Sequence, residues 1–123
     1  MERITIEGII ACIKKAIKQN LYVYSSLYEY GEQNDFHFEV NFTIRNKNEV
    51  LTFNINDNNI YLNTSNAQTI LKYKLDEREK LNLKSVHLDV EEYNREKAIH
   101  KYETFFNEID KPADINDLDN EDD

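Results

Sequence analysis

Apolar residues at Ile6, Ile9, Ile10, Ile13, Ile17 and Leu21 recur at helical intervals, which predicts an amphipathic helix over residues 6–19. Thr5 stands where a capping hydroxyl belongs, and Ile4 can staple onto Ile9. Glu7 suits the positive end of the helix dipole; Lys14, Lys15 and Lys18 suit the negative end. After Asp35 the period changes to two. Phe36, Phe38, Val40, Phe42 and Ile44 alternate with His37, Glu39, Asn41, Thr43 and Arg45, the pattern of a strand with one buried face. Asn46, Lys47 and Asn48 make a polar turn, and Leu51, Phe53 and Ile55 continue the alternation, so the two runs form a hairpin.

Asp57, Asn58 and Asn59 turn the chain again before a short strand at 60–63. Residues 69–75 alternate Leu71, Tyr73 and Leu75 against Lys72 and Lys74. Leu81, Leu83, Val86 and Leu88 read as a further strand with a bulge, entered from a charged turn at 76–80. Asp89 with Glu92 has capping-box spacing and Leu88 with Tyr93 occupies the staple positions, so the last helix is expected to begin there. Its apolar face comprises Ala98, Ile99, Tyr102, Phe105, Phe106 and Ile109, with Phe105 as the expected buried anchor, and it stops before Pro112. Residues 21–30 fit either period, because Leu21, Tyr24 and Tyr28 extend the helical stripe while Val23 and Leu27 alternate with tyrosines; the helical reading is preferred. The expected fold is α+β: an N-terminal amphipathic helix, an antiparallel sheet of about five strands and a C-terminal helix packed on the sheet. Residues 1–109 are expected to form a single domain, and 110–123 a disordered acidic tail.

Charge sharpens this picture. The 123-residue chain carries a formal −9, of which −6 lies in residues 110–123 and −3 in the remainder. Residues 29–57 hold a local excess of −4 from Glu29, Glu32, Asp35, Glu39, Glu49 and Asp57 against Arg45 and Lys47. A chain of this length can bury a core without disulfide or metal. No apolar run approaches the ~20 residues of a membrane span, which argues against a membrane partner. Acids at Glu2 and Glu7 do not resemble a signal peptide, and Cys12 has no disulfide partner, so a cytoplasmic location is expected.

Catalytic signatures are missing from the pattern. Gly8 and Gly31 stand alone, whereas phosphate loops need clustered glycines. His37 with Glu39 and His87 with Asp89 are expected on shared strand faces as exposed polar neighbours, and His100 stands apart; none has ligand spacing, so no metal or cofactor is expected. Cys12 reads as a small core hydrophobe. Phe36, Phe38, Phe42 and Phe53 belong to the core face. Tyr22, Tyr24, Tyr28 and Tyr30 are too dense for one helical stripe to bury, so one or two are expected to be exposed and available to a partner. The candidate partner-binding set is these four tyrosines with Glu29, Glu32, Asp35 and Glu39, together with Asp114, Asp117 and Asp119 of the tail.

The expected function is a non-enzymatic, protein-binding module. Its sharpest form is a small acidic phage-type inhibitor that occupies the nucleic-acid-binding surface of a host defence or nucleic-acid-processing enzyme, with carboxylates standing in for phosphates. Direct nucleic-acid binding fits less well, because the body is −3 where a backbone-tracking surface is positive. A single-strand-binding protein with an acidic recruiting tail, and an acidic dimeric chaperone or immunity-type protein, are the alternatives; a homodimer is compatible with all of this.

Overall fold

Thr5 begins the structure as the sequence predicts: its hydroxyl accepts from the Gly8 amide at 2.9 Å, and α1 follows at Ile6–Lys18. The helix ends in a Schellman motif. Asn20 adopts a left-handed φ of 60°, which lets its amide reach the Ile17 carbonyl and the Leu21 amide reach the Ala16 carbonyl, both at 3.0 Å. Asn is the residue after glycine best able to hold this conformation. In a computed structural model the chain is described at residues 4–32 and 35–109, with residues 35 and 36 described in backbone alone. Two compact units divide it, 1–92 and 93–123. The expected disordered tail, 110–123, lies outside the described residues.

The first unit contains five antiparallel strands in sequential order: β1 (Tyr22–Glu32), β2 (Asp35–Asn46), β3 (Glu49–Asn56), β4 (Asn59–Asn63) and β5 (Gln68–Lys72). Local residues shape the turns after β2, β3 and β4. Lys47 takes a left-handed φ of 52° in the two-residue link from β2 to β3. The Asn56 carboxamide oxygen accepts from the Asn58 and Asn59 amides between β3 and β4, and the Thr64 hydroxyl accepts from Asn66 and Ala67 between β4 and β5.

Register places Val23, Ser25 and Leu27 of β1 beside Ile44, Phe42 and Val40 of β2, which in turn face Leu51, Phe53 and Ile55 of β3. Ile60 and Leu71 complete this face. It is covered by α1 through Ile6, Ile9, Ile13 and Ala16, and by the C-terminal helix α2 (Glu77–Ile109) through Leu83, Val86, His87 and Val90. Phe38, Phe42 and Phe53 are buried here as expected. The C-terminal helix thus packs on the sheet, by its N-terminal part.

Four expectations change. Residues 21–30 are a strand, not a helix, because β2 supplies a ladder that runs the full length of β1. Residues 81–88 are helix rather than strand: the buried set Leu83, Val86, His87 and Val90 has helical spacing, and its third member is a histidine that an apolar count misses. The capping box in use is Asp76 with Glu79, not Asp89 with Glu92. The Asp76 carboxylate accepts from the Glu79 amide at 2.8 Å, and the Glu79 carboxylate accepts from the Asp76 amide at 3.0 Å. Glu79 also accepts from the Tyr73 hydroxyl, and that hydrogen bond is the main reason the phenol is pushed up to about 12. In the second unit α2 continues through residues 93–109, where Phe105 is 60% exposed and so is not the buried anchor expected.

Asp57 joins the layers of the first unit. β3 has ended at Asn56, so the Phe38 amide lacks a ladder partner, and the Asp57 carboxylate accepts from it at 3.0 Å. The other carboxylate oxygen meets the Lys80 ammonium of α2 at 3.0 Å, and the Asp57 carbonyl accepts from the Leu75 amide. Burial alone would raise the Asp57 pKa, but Lys80 and the Phe38 amide outweigh it and hold the carboxyl below its ordinary 3.8. Lys80 is correspondingly raised, chiefly by its hydrogen bond to Asp57.

Two predictions follow from this packing. In chemical denaturation Phe42→Ala should cost about 3–5 kcal/mol, whereas Phe105→Ala should stay within about 0.5 kcal/mol of the wild type. Because the Asp57 pKa is lower in the folded state, its contribution is present above the ordinary carboxylate pKa and is lost as pH falls through the lowered value. Stability measured from neutral pH down into that range should therefore fall less steeply for Asp57→Asn than for the wild type.

Candidate functional site

Two-residue alternation puts every even-numbered residue of β1 on the face that the helices leave open. Tyr22, Tyr24, Tyr28 and Tyr30 stand there in one row, 47–56% exposed. All four are accessible, more than the one or two expected, because a strand places alternate residues on the same side where a helix would have spread them round its axis. Two of them are held by neighbours. The Arg45 guanidinium lies 4.8 Å above the Tyr22 ring, and Tyr30 stacks on His37 with centroids 5.1 Å apart.

Next to this row runs a polar ladder that the sequence reading did not assemble. Ser26, Asn41 and Asn54 come from β1, β2 and β3 at positions opposite one another. The Asn41 side-chain Nδ2 donates to the Ser26 hydroxyl at 3.3 Å; the Asn54 side-chain Nδ2 donates to the Asn41 Oδ1 and, at 3.0 Å, to the Glu39 carboxylate. Tyr61 sits opposite Asn54 on β4, and Ile70 opposite Tyr61 on β5. The alternation in 36–45 already placed His37, Asn41 and Arg45 together on the polar side; the strand reading of 21–30 was the step needed to bring the tyrosines beside them.

The acidic candidates are divided. Glu32 and Glu39 share the open face with the tyrosines, and Asp35 pairs with Glu32 in register. Glu29 lies on the helix side, where it makes an ion pair with Lys84 of α2 at 3.0 Å. Asp57 is engaged by Lys80, so the local excess in the sequence is not one surface patch. Asp114, Asp117 and Asp119 lie outside the described residues.

Among the described residues, no group of three or more His, Cys, Asp and Glu side chains could hold a metal ion. His87 is not an exposed strand neighbour of Asp89 but a buried helix residue: its Nδ1 lies 2.6 Å from the Ser25 hydroxyl and its Nε2 3.4 Å from the Glu91 carboxylate. Hydroxyl, imidazole and carboxylate are in line, as in an acyl-transfer triad. Ser25 is 6% and His87 7% exposed, however, so the hydroxyl lies between sheet and helix where a substrate carbonyl has no approach. What the contact does is join β1 to α2 while satisfying two buried polar groups. Cys12 is half-buried rather than in the core, and lines two shallow grooves beside α1, of about 310 and 220 Å³.

Ser25→Ala removes the partner of a buried imidazole nitrogen and should cost about 1–3 kcal/mol, more than the loss of a hydroxyl at exposed Ser65. Equal, negligible effects in denaturant titrations would mean that the pair carries no stability. No family model matches the chain, and neither a curated protein nor a solved structure matches it.

Proposed function

We propose that the chain is a non-enzymatic protein-binding module whose contact surface is the open face of the sheet. One observation carries this: four tyrosines stand in a single exposed row beside a ladder of Ser and Asn side chains. Tyrosine offers a large amphipathic area with few rotatable bonds, and small amides and hydroxyls adapt to a partner's hydrogen-bonding groups, which is why binding surfaces favour this mixture. The backbone beneath is a hydrogen-bonded ladder, so ordering the surface on binding costs little.

The sharper form of the proposal is a cytoplasmic, phage-type inhibitor that covers the nucleic-acid-binding surface of a defence or nucleic-acid-processing enzyme. It is supported by Glu32 and Glu39 at one end of the tyrosine row and by the −6 of residues 110–123. A reducing compartment suits the single unpaired Cys12. One observation favours a second reading, single-strand binding: Arg45 above Tyr22 and Lys72 on β5 give the same face cations next to rings that bases could stack on.

Capture from cell extract with the tagged chain, compared with its Tyr24→Ala/Tyr28→Ala variant at low and high salt, separates these readings. The proposal expects a protein retained by the wild type and lost by the variant, while the folding midpoint is unchanged. If that protein meets carboxylates, Glu32→Lys/Glu39→Lys should weaken its capture and remove part of the salt dependence. Nucleic acid in the eluate would support the second reading, and a protein captured equally by wild type and variant would overturn the first.

A further inference from the structure

The sheet has two edges, and they differ. At β1, Val23 and Ser25 are 1% and 6% exposed, so no further strand can reach the middle of that edge. β5 is open to solvent: Gln68, Thr69, Ile70 and Lys72 are all exposed, Ile70 at 61%. Two hydrogen bonds fix which way its backbone points. The Thr64 amide donates to the Ala67 carbonyl at 2.8 Å and the Tyr73 amide to the Asn58 carbonyl at 2.9 Å, so residues 67 and 73 are turned towards β4. Alternation between them turns the N–H and C=O groups of Gln68, Ile70 and Lys72 outward. Among the described residues nothing accepts from or donates to these groups. β5 also lacks the proline and the bulge that commonly blunt an edge.

We infer that the β5 edge takes up an extended acidic segment of a partner protein as an additional antiparallel strand. Charge decides what can pair there. Residues 65–75 hold Lys72 and Lys74 and no acid, a formal +2 in a chain of −9. Neither lysine has an ion-pair partner among the described residues, whereas Lys80 and Lys84 are taken by Asp57 and Glu29. Lysine on an edge strand turns away basic strands and gains nothing from uncharged ones. A second copy of β5 would bring two more lysines to the seam. Carboxylates on an incoming strand give these ammonium groups the opposite charge they lack.

Register gives the incoming segment its pattern. Ile70 lies opposite Tyr61 and Tyr61 opposite Asn54, so the even-numbered residues of β5 share the open face of the sheet. In an antiparallel partner strand an apolar residue meets Ile70, the carboxylate two residues before it meets Lys72, and a further acid two before that approaches Lys74. The added strand continues the line of Ser26, Asn41, Asn54, Tyr61 and Ile70 across the open face. Its seat is the backbone of β5, separated from the tyrosine row by β2, β3 and β4, and is independent of what the tyrosines bind.

The capped peptide Thr-Asp-Thr-Asp-Thr-Val-Thr-Asn-Thr carries this pattern. Added at about 1 mM to the isotope-labelled full chain, it should slow hydrogen exchange at the Ile70 and Lys72 amides several-fold, and the same peptide with Lys in place of Asp should not. Ile70→Pro removes an outward N–H but none of the bonds to β4, and should abolish the protection of Lys72 with an unchanged circular dichroism spectrum. Lys72→Glu should weaken the acidic peptide several-fold. Tyr24→Ala/Tyr28→Ala should bind it as the wild type does; loss of binding there would place the peptide on the open face and overturn the edge as its seat. Ile70 and Lys72 amides that exchange slowly before any peptide is added would show the edge already covered by the chain itself, which overturns the inference. So does protection by neither peptide, while equal protection by both overturns the choice of an acidic partner.

Discussion

A sheet whose apolar side chains lie on one face must be covered on that face and can be left bare on the other, and the first unit is organised by that constraint. The alternation in β2 fixes the side: Phe38, Val40, Phe42 and Ile44 are buried under α1 and the N-terminal part of α2. Each neighbouring strand must then match its register, which turns Val23, Phe53, Ile55 and Ile60 inward. The same rule turns Tyr22, Tyr24, Tyr28 and Tyr30 outward. A candidate contact surface therefore arises as the complement of the core, and its rigidity comes from the core.

Where the sequence pattern was legible, one period dominated. α1 showed its cap, its stripe and its dipole charges together, and β2 with β3 alternated without interruption. Residues 21–30 were ambiguous because every outward position from 22 to 30 except Ser26 is a tyrosine, a residue with both apolar and polar character. The choice was made by the pairing partner, which is not local. In 81–88 the misleading residue was His87: with a polar residue in the buried stripe, Leu81, Leu83, Val86 and Leu88 looked like a bulged strand, although Leu81 and Leu88 are both exposed. Only the contact with Ser25, 62 residues earlier in the chain, makes the histidine an inward residue. Two capping boxes of equal spacing, at Asp76 and Asp89, gave no local reason to prefer the earlier one.

The candidate site was partly visible for the same reason. Its tyrosines stood out by density and its acids by charge, but charge counted along the chain does not report which face a residue occupies. Glu29 and Glu32 are three residues apart and end on opposite sides of the sheet, one tied to Lys84 and the other beside the tyrosine row. The ladder of Ser26, Asn41 and Asn54 carries no sequence signature, because small polar residues are ordinary on a solvated strand face.

Asp57 gathers groups from three separate places in the chain: the Phe38 amide, the Leu75 amide and the Lys80 ammonium. None of these contacts is local, so one residue ties the sheet both to α2 and to the segment that leads into it. Asp57 thus works as a keystone: loss of its carboxylate takes a partner from the sheet and from the helix in the same step, so the two layers are coupled through one side chain.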